Sequence, residues 1–186
     1  INKVKNKLEN APKGTYKGII PVNFAGFPID MEAYRKLADK HGLWLLEDSC
    51  HAPGGFFYDS SMKKQSCGNG KFADTAIFSF HPVKHIAAGE GGMITTNRED
   101  LYYKIKLLRT HGISKSTNLS NESPPGWYYE MQELGYNHRI SDISCALGNS
   151  QLKRAKEGLK KRKAIAKKYL KDLSGLPLKI PSANFS

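Results

Sequence analysis

The chain has 186 residues, 39% hydrophobic and 25% charged, which suits one globular α/β domain with a sizeable core. No apolar run approaches the roughly 18 residues of a membrane span, and no charged start leads into an apolar stretch like that of a signal peptide, so a soluble cytoplasmic protein with no membrane partner is expected. Cys50, Cys67 and Cys145 form no CxxC pair, so neither a disulfide framework nor a metal site is indicated.

Ile1, Val4 and Leu8 fall at helical spacing, as at the end of a helix, and the chain opens without a methionine, so it reads as a piece of a longer protein. Ile19 to Phe24 reads as a strand ending at Gly26; Asp30 can then cap a helix from Met31 to about His41 that Gly42 stops. Leu43-Trp44-Leu45-Leu46 is continuously apolar, as a buried parallel strand is, and delivers Glu47, Asp48 and Ser49 at its C-terminal end. From about Ala52 to Phe72, Gly, Ser and Lys around Phe56-Phe57-Tyr58 predict a short hairpin or loop. Strands follow at 75–80 and 92–96, then a helix over 99–109, a polar loop over 112–126 and helical patterns over 141–171. A proline-marked linker begins at Leu176 and includes Pro177 and Pro181.

The net charge of +12 raises nucleic acid as a partner. Much of the excess, however, lies between Lys153 and Lys171, where Leu152, Leu159, Ile165, Tyr169, Leu170 and Leu173 recur at roughly helical spacing. That describes an amphipathic helix with a solvated basic face and no nucleic-acid motif.

Alternating strands and helices point to a mainly parallel sheet covered by helices, with reactive groups at the C-terminal ends of the strands. Asp48, His51 and the segment Ser79 to Lys84 fall there. No GxGxxG or GxxxxGK[ST] is present, so dinucleotide and P-loop readings lack their signature. A partly desolvated lysine at position 84 could lose its proton and bind an aldehyde covalently, although a loop lysine taken alone is ordinarily just solvated. Asp48 could hold a pyridinium nitrogen protonated, or simply cap a turn. A Schiff-base lysine with such an acid is what pyridoxal-phosphate (PLP) chemistry requires.

Five stretches, in order, resemble the DegT/StrS family of PLP-dependent sugar aminotransferases: Val22 to Asp30, Glu47 to Ala52, Ser79 to Lys84, Gly89 to Thr96 and Glu133 to Ile143, followed by a matching helix start to Arg154. His81, His85-Ile86 and Trp127 to Glu130 are similar to the pseudaminic acid branch of that family. The resemblance implies the large domain of a fold type I PLP-dependent transferase over residues 1–175, incomplete at its N-terminus, with 176–186 a linker toward a small C-terminal domain. It implies that Lys84 binds the cofactor covalently, Asp48 pairs with its ring nitrogen, His51 contacts its ring hydroxyl, Ser79 binds its phosphate, and Asn137 reaches a phosphate across a homodimer interface. A histidine at 51 departs from the commoner glutamine of the family but can still donate a hydrogen bond.

The implied activity moves an amino group, from glutamate, to a nucleotide-linked keto-sugar, at C4 of a UDP-4-keto-6-deoxy-N-acetylamino sugar. Two alternatives stay open. Sugar dehydratases of the same family replace the lysine with histidine, which Lys84 argues against; a non-enzymatic PLP-binding regulator would bind cofactor without turnover. His81, His85 and His138 carry no assigned chemistry, Gly89 to Gly92 is read as shaping the lysine loop, and Trp127, Tyr128 and Tyr129 are read as packing residues.

Overall fold

Alternating apolar positions in short strands, and one apolar face on each early helix, dictate layers around a sheet; the computed structural model describes them for residues 1–114 and 127–180. Helix α1 (Asn2–Glu9) leads through β1 (Gly18–Ile19) and a 3₁₀ turn (Phe24–Gly26) to α2 (Met31–His41) and β2 (Trp44–Asp48). A hairpin of β3 (Phe56–Tyr58) and β4 (Lys64–Ser66) precedes β5 (Thr75–Ser79), β6 (Gly92–Thr95) and α3 (Glu99–Arg109). The ribbon β7 (Ile113–Ser114) with β8 (Glu130–Met131) comes before the long α4 (Asp142–Asp172).

The central sheet runs β1-β2-β5-β6. Its first three strands are parallel and β6 is antiparallel to β5. No helix intervenes between β5 and β6, and a parallel return needs a crossover long enough to pass over the sheet. Instead the chain folds straight back, closed by Phe80 N–H donating to the Gly91 carbonyl at 2.8 Å.

The core lies on one side of β1 and β2. Ile19, Leu43 and Leu45 meet Met31, Leu37 and Ala38 of α2, and Val4 and Leu8 of α1 close over them. Helix α2 starts where the Asp30 carboxylate accepts from Ala33 N–H at 3.0 Å, and it ends where Gly42 takes a left-handed φ of 63°.

The strand expected over 19–24 is shorter than the apolar run. Pro21 has no N–H for the ladder, and beyond it only Val22 bridges to Asp48. Asp48 N–H still donates to the Pro21 carbonyl at 3.0 Å, and Asn23 N–H donates to the Asp48 carbonyl at 2.9 Å. Of the polar loop expected over 112–126, residues 113 and 114 form β7, while 115–126 lie outside the described residues, as do 181–186 at the end of the linker. Trp127 and Tyr129 are exposed and join no core among the described residues. The basic stretch forms one 31-residue helix, α4, capped by Ser141, whose hydroxyl accepts from Ser144 N–H. Among the described residues no helix is long and apolar enough to cross a membrane.

Candidate active site

The register of β2 against β5 sorts the site. Asp48 lies opposite Ile77 and Glu47 opposite Ala76. Paired residues share a face and neighbours alternate, so Asp48 and Ser79 stand on one face while Glu47, with Ala76 and Phe78, stands on the other.

Glu47 is nearly sealed, and its carboxyl oxygen Oε1 is met by hydrogen bonds. Its Oε1 accepts from Asn23 Nδ2 at 2.8 Å, from the Ser49 hydroxyl at 2.7 Å and from Gly68 N–H at 2.9 Å. Asn23, itself fully buried, also donates to Ser49 Oγ, and its Oδ1 accepts from Ile29 N–H. A buried carboxylate is tolerated only when satisfied in this way. The cluster ties the end of β2 to the segment before α2 and to the loop after β4, which fixes Asp48 on the opposite face.

His51 is held by the 3₁₀ turn. Ala25 N–H donates to His51 Nδ1 at 3.3 Å, and a Cβ placed on Gly26 would come within 2.9 Å of the His51 carbonyl. With Nδ1 accepting, the ring proton of the neutral imidazole belongs on Nε2, which is then a donor. Phe24 lies beside it, ring centroids 5.8 Å apart.

Lys84 sits in a closed loop. Ala88 N–H donates to the Phe80 carbonyl and Lys84 N–H to the His81 carbonyl, each at 2.9 Å. The Ser79 hydroxyl accepts from His81 N–H at 3.3 Å. Gly91 turns the chain at φ 140°, and a side chain there would strike Ile140. The glycine segment therefore shapes this loop, as expected from the sequence. No side-chain hydrogen bond or ion pair occupies the Lys84 ε-amine among the described residues.

Electrostatics join these pieces. Burial, followed by the hydrogen bond and charge of Asp48, pushes the Cys50 thiol up to about 11, against an opposing pull from Lys84. Cys50 N–H also donates to Asp48 Oδ1 at 3.0 Å. Burial holds the His85 imidazole below its usual range, assisted by the charges of Arg162, His51 and Lys84. Asp48, His51 and Lys84 thus lie in one neighbourhood at the C-terminal ends of β2 and β5, with Ser79 on the Asp48 face.

Asn137 is exposed, its backbone bridges to Thr110, and among the described residues no side-chain hydrogen bond joins it to the other four. Asn23, Ala25 and Glu47 lie inside stretches that carry the family resemblance, yet their sequence context gave them no role; the signal available was the cost of burying polar residues such as Glu47 and Ser49 that flank Asp48.

The donor set can be tested against PLP without further assumption. A carboxylate, a hydroxyl, an imidazole N–H donor and an amine free of internal partners are the groups needed for a pyridine nitrogen, a phosphate, a phenolic oxygen and an aldehyde. They fit.

Residues 2–184 match the DegT/DnrJ/EryC1/StrS aminotransferase family. The chain is 42% identical over 156 residues to a UDP-4-amino-4,6-dideoxy-N-acetyl-beta-L-altrosamine transaminase of Campylobacter jejuni, covering 84% of this chain and 38% of the relative. Among solved structures, Helicobacter pylori PseC, an aminotransferase involved in the biosynthesis of pseudoaminic acid, superposes with a TM-score of 0.78 at 35% identity, over 93% of this chain and 43% of that one. The PLP-form of Spr1654, a sugar aminotransferase described from Streptococcus pneumoniae, superposes at 0.75 and 28% identity, over 92% and 45% of the two chains. The chain therefore spans less than half the length of these relatives, and shares their α/β fold over that span.

Proposed function

The chain belongs to the DegT/DnrJ/EryC1/StrS aminotransferase family, and from that premise we propose that it forms the cofactor-binding part of a PLP-dependent aminotransferase acting on a nucleotide-linked keto-sugar. The observation that carries this reading is the register that sets Asp48 and Ser79 on one face of adjacent parallel strands, with Lys84 five residues beyond Ser79 and within electrostatic reach of Cys50 beside Asp48.

PLP, when bound, supplies an electron sink for a carbanion next to nitrogen. The protein's own groups have defined tasks around it. The Lys84 ε-amine would hold the cofactor covalently through its aldehyde and, when free, would serve as the base that moves a proton at the donor carbon. Asp48 would accept a charge-assisted hydrogen bond from the cofactor's ring nitrogen and hold its proton there. His51 would offer Nε2–H to the ring oxygen, and Ser79 its hydroxyl to the phosphate. Asn137, exposed and without a hydrogen bond to this group among the described residues, serves the cofactor of a second subunit in a homodimer. The amino donor is glutamate and the acceptor is C4 of a UDP-4-keto-6-deoxy-N-acetylamino sugar. The Campylobacter and Helicobacter relatives support that choice of sugar.

The test uses full-length protein with PLP, glutamate and a panel of UDP- and dTDP-linked 3- and 4-keto sugars, with products identified by mass. An amino sugar from a UDP-linked 4-keto substrate is expected. Conversion by glutamate of the bound cofactor to its amine form, with no sugar aminated, would move the reading to another acceptor; no conversion at all would favour a regulator that binds cofactor without turnover.

A further inference from the structure

Asn23 is fully buried, and both ends of its side-chain amide are engaged. Nδ2 donates to Glu47 Oε1 at 2.8 Å and to Ser49 Oγ at 3.0 Å, while Oδ1 accepts from Ile29 N–H at 3.0 Å. A backbone N–H can only donate, so the Ile29 bond fixes which end of the amide is oxygen. That bond also closes the loop 23–29 around the 3₁₀ turn, inside which Ala25 stands at a φ of 53°. A residue with a Cβ keeps such a conformation only where its surroundings enforce it.

The same side chain grips a second turn. Ser49 N–H donates to the Ile77 carbonyl at 3.0 Å and Ala52 N–H to the Ser49 carbonyl at 2.9 Å, so Ser49 anchors the turn that carries Cys50 and His51. From this turn Cys50 N–H donates to Asp48 Oδ1 at 3.0 Å, and His51 Nδ1 accepts from Ala25 N–H of the first turn at 3.3 Å. The Asn23 backbone adds a further tie, its N–H donating to the Asp48 carbonyl at 2.9 Å. One buried residue therefore joins the two turns that meet at His51 to the strand end that carries Asp48.

From this arrangement we infer that Asn23 is a positioning residue, which sets Asp48 and His51 as one rigid pair for the nitrogen and the ring oxygen of a pyridine cofactor. Being sealed, it cannot touch the ligand and acts through the two turns. An aromatic ring holds its polar atoms at a fixed separation, so it cannot follow a displaced partner, and binding depends on how firmly the two groups are held. The inference rests on the aminotransferase reading only for the identity of the ligand.

The experiment uses the full-length protein and its Asn23→Ala, Ser49→Ala and Leu37→Ala variants, the last a control in the core of α2. Absorbance titration gives the dissociation constant of PLP. Nitrogen NMR of labelled histidine, with the His51 signals assigned by His51→Gln, gives the imidazole tautomer in cofactor-free protein. Denaturant midpoints run alongside. Asn23→Ala should weaken PLP binding about tenfold or more, because its loss strands buried donors and acceptors, and should replace the fixed Nε2–H tautomer by an average of the two. Ser49→Ala, which keeps the Ile29 closure, should move both readouts the same way by less, and it decides the question if Asn23→Ala does not fold. Leu37→Ala should lower the midpoint and leave both readouts where they were. An unchanged His51 tautomer in the folded variants, an unchanged affinity in protein that binds PLP, or equal losses in Leu37→Ala would overturn the inference. If the wild-type protein binds no PLP while the Asn23 and Ser49 variants still release the tautomer, the placement of His51 by Asn23 stands and the aminotransferase reading falls.

Discussion

Helix α2 has 11 residues and buries Met31, Leu37 and Ala38, whereas α4 has 31 residues and buries none. The first belongs to a region, roughly from α1 to β6, that closes its own core and ties the buried Asn23, Glu47 and Ser49 together by hydrogen bonds. The second leaves Ile143, Leu147, Ile165 and Tyr169 exposed beside its lysines. The division teaches where each kind of residue can be placed. Asp48, His51, Ser79 and Lys84 all stand on the self-supporting region, where strand register and a hydrogen-bonded cluster set their positions. Asn137 stands on the other, where its proposed work faces outward.

The largest effect should come from the packed region. Lys84→Ala is expected to abolish covalent cofactor attachment, and borohydride reduction with peptide mapping reads it directly; label on another lysine would break the assignment. Asp48→Asn should keep the attachment but slow transamination by about 10²–10⁴-fold, because an amide cannot hold the ring-nitrogen proton as a carboxylate does. Stopped-flow absorbance with glutamate measures the half-reaction, and near-normal turnover would mean that another group holds that proton.

The outward region should respond differently. Asn137→Ala is expected to weaken cofactor binding by about 1.5–3 kcal/mol, the worth of one hydrogen bond to a charged group. Mixed with inactive Lys84→Ala subunits, it should regain activity at one site of two, since a two-fold axis makes the exchange reciprocal. Verified subunit exchange without recovery would place Asn137 outside the shared site.

Stability offers the mildest and cleanest contrast. Ala38→Leu overfills a position that is 0% exposed and should cost about 1–3 kcal/mol. Ala164→Leu, on the exposed side of α4, should stay within about 0.5 kcal/mol. Denaturant midpoints of the two variants compare the regions side by side, and equal losses would mean that α4 packs more tightly than its exposure indicates.

The sequence was legible where a local rule acts alone. Asp30 and Gly42 bracket α2 because a carboxylate cap and a left-handed glycine are both local devices. The α3 bounds match for the same kind of reason: Glu99 and Asp100 stand in its first turn and Lys106 and Arg109 in its last, complementing the helix dipole. The direction of β6 was not legible, since it depends on how the chain returns after Lys84 and not on the apolar pattern of Gly92 to Thr95. Proline shortened β1 by removing a donor, which an apolar run hides. For the site, the motif residues could be named, but the support beneath them could not. Glu47 is adjacent to Asp48 and reads as an equally ordinary acid until the register turns it into a sealed face with Asn23 and Ser49.

Ala25 is the residue whose backbone delivers the N–H that orients His51, and it does so at a φ of 53°. For a residue with a Cβ that conformation costs about 1–2 kcal/mol. Glycine at position 25 would remove the penalty, so Ala25→Gly is a candidate for relieving strain in the folded state even as it frees the unfolded chain. The same change would loosen the turn that aims His51. Directed selection for thermostability and selection for turnover should therefore disagree at this one position, where the protein holds a strained peptide in exchange for a fixed imidazole.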